Sequence, residues 1–145
     1  MSIARSLAAL ERWLYATLTA DASLTAITGG QVYFDSVPDT ATVPYVYITN
    51  SADMRDLKGT GPNIYATRAH YAVRCVAETP PGGLTTALIN AAERIHTVLH
   101  AGSGSNADGS TIACVREQPF SMTERDPATG RPYRHLGGIY RIWVQ

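Results

Sequence analysis

Two periodicities, in a fixed order, constrain this chain more than any motif in it. From Ile3 to about Thr19 apolar residues recur at three- and four-residue steps. Ile3, Leu7, Leu10, Leu14 and Leu18 share one helical face, with Trp13 and Thr17 beside it and Arg5, Glu11 and Arg12 on other sides. From Ala69 to Ala77 the step is two. Ala69, Tyr71, Val73, Cys75 and Ala77 point one way; His70, Ala72, Arg74 and Val76 point the other, which reads as a strand with one buried and one more solvated face. A chain that opens on such a helix and continues into alternating strands must bury both against a common core.

The remaining elements follow from the same rules. Ser2 is placed to cap the first helix and Ser23 the short turn Asp21–Thr28, which Gly29-Gly30 ends by supplying a left-handed exit. Val32 and Phe34 alternate as in a short strand. Pro44 opens a second strand with Val46 and Ile48 on one face and Tyr45 and Tyr47 on the other. Asn50 to Ile64 has little apolar periodicity and reads as a long loop. Leu84, Leu88, Ala91, Ala92, Ile95, Val98 and Leu99 form the stripe of a second main helix, ending near His100. Ala101 to Ser110 reads as a flexible loop. Thr111–Glu117 and Phe120–Arg125 read as strands interrupted at Pro119, and Tyr133–Val144 as the last strand, with Gly137-Gly138 marking a bulge. The expected fold is α+β. It has a mostly antiparallel sheet of four to five strands, with mixed pairing left open, two main helices packed on one face and an extended C-terminal hairpin.

At 145 residues the chain is expected to form one domain, 1–145. Twelve basic and twelve acidic side chains cancel, so neither a whole-domain basic field for nucleic acid nor an acidic tail is expected. No apolar run approaches the roughly 18 residues of a membrane helix, and no secretory leader is expected at the N-terminus. Cys75 and Cys114 lie on separate strands and are expected to be reduced core residues. Eleven of the twelve basic residues are Arg, with Lys58 the exception; an interface use of Arg and a compositional bias explain this equally well.

Candidate chemistry is thin. His96 and His100 sit at helical i and i+4 spacing with Glu93 one turn earlier, but the glutamate of a metalloprotease motif and a third ligand are missing. Asn106-Ala-Asp-Gly109 lacks the other carboxylates of a calcium loop. Gly59-Thr-Gly61 and Gly102-Ser-Gly104 lack the lysine and setting of a phosphate cradle. His70 and His135 are on strands that could bring them together as a surface pair. No catalytic residue, cofactor site or metal site is expected, and the chain is not expected to be an enzyme. Arg116, Arg125, Arg131, Arg134 and Arg141 give the C-terminal hairpin a basic excess, partly offset by Glu117, Glu124 and Asp126. A solvated hairpin, a subunit interface and a channel lining all fit this pattern.

The order of parts resembles the tail-terminator, or tail-completion, proteins of long-tailed bacteriophages, of the lambda minor tail protein U type. The resemblance is strongest from Leu14 to Ile48: Leu14-Tyr-Ala-Thr-Leu-Thr-Ala-Asp-Ala-Ser-Leu-Thr-Ala-Ile-Thr-Gly-Gly30, then Val32-Tyr-Phe34 and Val43-Pro-Tyr-Val-Tyr-Ile48. It implies a structural virion protein that forms a homo-oligomeric, typically hexameric, ring on the head-proximal end of the tail after assembly in the host cytoplasm. Its implied partners are further copies of itself, the tail tube protein and the head-connector or neck protein. DNA would pass through the lumen without sequence-specific binding, and no membrane is involved. The resemblance carries no catalytic residues over. It makes the Asn50–Ile64 and Pro119–Arg134 segments the natural contact elements, with Arg55, Lys58, Arg116, Arg125, Arg131 and Arg134 as candidate interface residues. Another neck or minor tail protein, or a small α+β ligand-binding domain or enzyme, are the alternatives.

Overall fold

The computed structural model describes residues 3–61 and 63–145, apart from the side chains of Ile3, Ser51 and Ala52. The expected Ser2 cap, the Ile3 end of the helical stripe and Pro62 lie outside the described residues. Among the described residues three helices, α1 (Ile3–Ala20), α2 (Ala22–Thr28) and α3 (Thr86–Leu99), accompany six strands. These are β1 (Val32–Phe34), β2 (Tyr45–Lys58), β3 (Ile64–Glu78), β4 (Gly102–Ser105), β5 (Thr111–Arg125) and β6 (Pro132–Val144). They form one sheet in the order β1-β2-β3-β6-β5-β4. Only β1 and β2 run parallel; every other pair is antiparallel, so the sheet is mixed and has six strands rather than four to five.

The helices form where the stripes placed them. Leu10, Leu14 and Leu18 of α1 and Leu88, Ala91, Ile95 and Leu99 of α3 are almost wholly buried, whereas Leu84 precedes α3 and stays exposed. The cap of α2 is Asp21, not Ser23: its carboxylate accepts from Leu24 N at 2.9 Å and also holds the Arg94 guanidinium, with Nε–Oδ2 at 3.1 Å. Asp21 is therefore both an N-cap and the tie between α2 and α3. That charge-assisted bond holds the Asp21 carboxyl below its usual range. Gly29 leaves α2 at φ 67, the left-handed exit expected of it.

Four segments differ from expectation, one of them Ala101–Ser110, expected as a flexible loop, which contains β4 paired with β5. The Asn50–Ile64 stretch is mostly strand: β2 continues to Lys58 and turns into β3 at Ile64. Its apolar pattern is weak because the bulge at residues 51–53 breaks the alternation and the strand runs along an open edge; only its tip, past Asp56 and Thr67, lies beyond β6. Pro119 does not interrupt β5, because that part of β5 lies at an open edge where proline is tolerated. The bulge expected at Gly137-Gly138 lies across the ladder on β5, between Arg116 and Gln118. Gly137 instead permits a close approach to β3, since a Cβ there would overlap the Val73 carbonyl oxygen.

The core lies between the helices and one sheet face. Val46, Ile48, Ala69, Tyr71, Val73, Cys75, Ile112, Cys114, Tyr140, Ile142 and Val144 meet the apolar faces of α1, α2 and α3. Each large side chain buried there contributes roughly 1.5–3 kcal/mol. Tyr71 keeps its hydroxyl satisfied by donating to Glu11 Oε1 on α1 at 3.1 Å. Cys75 and Cys114 are free, and burial pushes both thiols up to about 12. The Ala101–Ser110 segment contains β4, whose Gly104 faces the Trp13 indole so closely that a Cβ would overlap it. Gly104→Ala is expected to lower unfolding free energy by about 1–3 kcal/mol. Urea denaturation checks this; an unchanged midpoint would show that Trp13 can move aside without loss.

Candidate functional site

The helices leave one sheet face uncovered, and the charged side chains collect on it. His70, Ala72, Arg74 and Val76 of β3 point to this face, yet all are buried, so the expectation of a solvated face fails. Long side chains on the neighbouring strands close over them. The register places Tyr47, Arg74, Gly137 and Phe120 in one row across β2, β3, β6 and β5. With no side chain at Gly137, the Arg74 guanidinium reaches both rings, 4.7 Å from the Tyr47 centroid and 4.8 Å from that of Phe120. Such contacts contribute about 0.5–2 kcal/mol each. Burial pulls the Arg74 pKa down, and the nearby Tyr47 and Glu124 act in the opposite sense.

Two bulges meet farther along the same face. On β2, residues 51–53 stand opposite the single residue His70; on β5, Glu117 is the extra residue between Arg116 and Gln118. Each bulge turns a carboxylate toward the imidazole. Asp53 Oδ2 lies 3.3 Å from His70 Nδ1, and Glu117 Oε2 lies 2.8 Å from Nε2. Glu117 Oε1 also pairs with Arg141 at 2.8 Å, and Arg141 stacks on Trp143 at 4.6 Å. Asp53 is shared with Arg55 at 3.3 Å and Arg68 at 4.0 Å. The arrangement, three guanidiniums and one imidazole around two carboxylates, fixes the relative positions of β2, β3, β5 and β6. Among the described residues no group of three or more His, Cys, Asp and Glu could hold a metal ion.

The other candidates resolve into structural roles. His70 stands opposite Arg141 and His135 opposite Val76, so the two histidines do not pair. His135 has its own carboxylate, with Nε2 3.0 Å from Glu124 Oε1. His96 and His100 stack at 4.7 Å, and His100 Nδ1 accepts from Arg116 N at 3.1 Å, joining the end of α3 to β5. In the Asn106–Gly109 turn, Asp108 Oδ1 accepts from Ser110 N at 3.0 Å, and Asn106 donates to the Ala9 carbonyl at 3.3 Å.

The six candidate interface residues fall into three places. Arg55 and Lys58 are exposed on the projecting β2–β3 hairpin. Arg125, Arg131 and Arg134 gather at the β5–β6 hairpin, at the opposite end of the sheet. Arg131 lies 3.8 Å from Glu78, while Arg125 and Arg134 line a groove of about 550 Å³ with Pro80, Pro81 and Pro132. Arg116 sits between the two ends, beside the end of α3. The residues that organise the uncovered face, Tyr47, Asp53, Arg74, Glu117, Phe120 and Arg141, were not singled out by sequence as a group. Their signal was the polar side of the Ala69–Ala77 alternation, which had no visible partner until register supplied one.

His135 gives this face a pH dependence. Burial lowers its pKa below the ordinary value, and Glu124 opposes the shift only in part. His96 is lowered too, first by burial and then by Arg116 and His100. The unfolded chain therefore takes up protons first, near pH 6.5, and stability falls as pH drops below about 7. His135→Gln is expected to flatten this fall between about pH 7.5 and pH 5.5 in urea unfolding. An equal slope in both proteins would contradict the assignment.

Comparison with known proteins agrees with this architecture. No curated protein matches the chain. Among solved structures, a chain from the "Virion of native gene transfer agent (GTA) particle" superposes with a TM-score of 0.65 at 19% identity. The match covers 99% of this chain and 98% of that one, and so shows a shared fold. The family described as tail completion protein gp17 matches residues 12–136, from α1 into β6. The chain belongs to this tail completion family and is a structural protein of phage-like tails.

Proposed function

We propose that the protein is a tail terminator: copies close into a ring on the head-proximal end of the tail tube, stop its growth and offer the surface that joins the tail to the head connector. DNA later passes through the lumen. The observation that carries this reading is the placement of two charged hairpins at opposite ends of one sheet, in a chain of the tail completion family.

A cap on a growing tube needs two unlike axial faces. One must match the last tube layer; the other must fail to match a further layer, which is what ends growth. A chain whose strands run from one hairpin to the other supplies both. The β2–β3 hairpin presents Arg55, Asp56 and Lys58. The β5–β6 hairpin presents Glu124, Arg125, Asp126, Arg131 and Arg134, of which Arg125 and Arg134 line a groove with Pro80, Pro81 and Pro132. Head-to-tail contacts between different patches of neighbouring copies then close a ring when the rotation per copy fits. The fold shared with a chain of a phage-like virion particle supports a place in the virion.

The test is a capping assay with purified tail tube protein. Added protein is expected to arrest tube elongation at substoichiometric amounts and to bind one tube end in electron micrographs. Continued growth with the protein bound elsewhere would favour a neighbouring neck or minor tail position instead. Charge reversal separates the two ends: Arg55→Glu with Lys58→Glu, and Arg131→Glu with Arg134→Glu, are expected to impair different steps, one tube capping and the other head joining. Loss of both steps in both variants would contradict the two-faced arrangement.

A further inference from the structure

The sheet has two long open edges. β1 covers only Val46–Ile48 of β2, leaving Thr49–Lys58 with β3 as its one neighbouring strand among the described residues. At the far side β4 covers only Thr111–Cys114 of β5, leaving Val115–Arg125 without an outer neighbouring strand among the described residues, with the Arg116 amide taken by His100 Nδ1. From Glu117 to Arg125 every residue except Phe120 is exposed. Open edges of this length invite pairing, and proteins that stay single usually cover or shorten them.

We propose that the open edge of β5 on one copy pairs with the open edge of β2 on the next, so that the sheet runs on from copy to copy around the ring. This rests on the ring reading above and names the contact that would build it. Four observations select a second copy in head-to-tail order as the occupant. First, β2 and β5 run in opposite directions, because each of the three intervening steps is antiparallel. A neighbour in the same orientation therefore meets the edge as an antiparallel strand. Second, the free stretches differ in length by one residue, so β4 stops the new ladder at one end and β1 at the other, which sets its register. Third, each stretch is neutral: Asp53, Arg55, Asp56 and Lys58 cancel on β2, as do Arg116, Glu117, Glu124 and Arg125 on β5.

The fourth observation is geometric. Phe120, midway along the free part of β5, leads through Gly137 to Arg74 on β3, whereas Met54, midway along the free part of β2, leads to Ala69. The two free edges are thus staggered along the strand direction by the distance from Ala69 to Arg74, about 17 Å at about 3.4 Å per residue. Four strands separate one copy from the next, about 19 Å at about 4.8 Å per strand. Level copies joined this way have strands tilted by about 40° to the ring axis, within the roughly 35–45° of closed barrels. Pro119 has no N–H, so the ladder has a gap there, and the bulges at residues 51–53 and Glu117 bend the edges without ending them. With α1, α2 and α3 all on one face, closure puts the helices outside and turns the Arg74 and His70 face toward the lumen. The crowding of that face without any covering layer fits the concave side.

Cysteine pairs test the contact in assembled protein, formed alone or on tube ends. Gln118→Cys combined with Arg55→Cys is expected to give an oxidised ladder of covalent oligomers, while either single variant gives none. The native Cys75 and Cys114 are buried and serve as the unreactive background. Hydrogen exchange provides a second readout on the unmodified chain: amides in 49–58 and 115–125 are expected to slow by at least about tenfold on assembly. Rings that cap tubes but show neither the ladder nor the slowing would overturn the edge contact and leave the terminator reading standing. Dimers from Gln118→Cys alone would replace it with a symmetric β5–β5 contact. Absence of any oligomer, alone or on tubes, would overturn both.

Discussion

The fold depends on the burial of β3 from both sides. Its Tyr71, Val73 and Cys75 fill the space under α1 and α3, and its His70, Arg74 and Val76 are covered on the other side without any helix. A central strand can be buried twice only if both neighbours are in register, because a one-residue slip would exchange the two sets of side chains. Here the register is pinned by unlike contacts. On the helical side it is held by apolar packing and the Tyr71 bond to Glu11. On the other it is held by Arg74 between two rings and His70 between two carboxylates. Removing charge from only one member of the second group would leave a buried group unpaired, which costs more than the pair contributes.

Much of this architecture was legible because it follows from repeat spacing. The three- and four-residue step of α1 and α3 needs no tertiary knowledge, and Leu10, Leu14, Leu18, Ile95 and Leu99 are buried where that step places them. The same is true of Ala69, Tyr71, Val73 and Cys75. What was illegible depends on distant neighbours. The stretch from Asn50 to Lys58 lacks alternation because a bulge at residues 51–53 and an open edge break it, yet it still pairs with β3. Gly102–Ser105 has the composition of a linker, and only the Trp13 ring packed against Gly104 shows why a strand there must be so small. Ser23 looked like the cap of α2, but Asp21 has a carboxylate that also reaches Arg94, and the doubly used residue prevails.

The candidate interface residues were chosen by charge, and the structure sorts them by place. Arg55 and Lys58 stand at one end of the sheet, Arg125, Arg131 and Arg134 at the other, and Arg116 at the side. Under the proposed function, the two ends would serve contacts with two different structures. Neither the sequence nor the geometry provides a nucleophile, base and orienting group in one cleft among the described residues. What is present, open backbone edges and balanced charges, suits the self-association proposed above.

The account therefore stands on closure into a ring, and particle mass tests it most directly. Light scattering across a concentration series, with negative-stain imaging of the same fractions and of fractions bound to tail tubes, is expected to show one closed multiple of the chain mass with a central opening. A chain that remains monomeric in solution and also binds tube ends as isolated copies would contradict it.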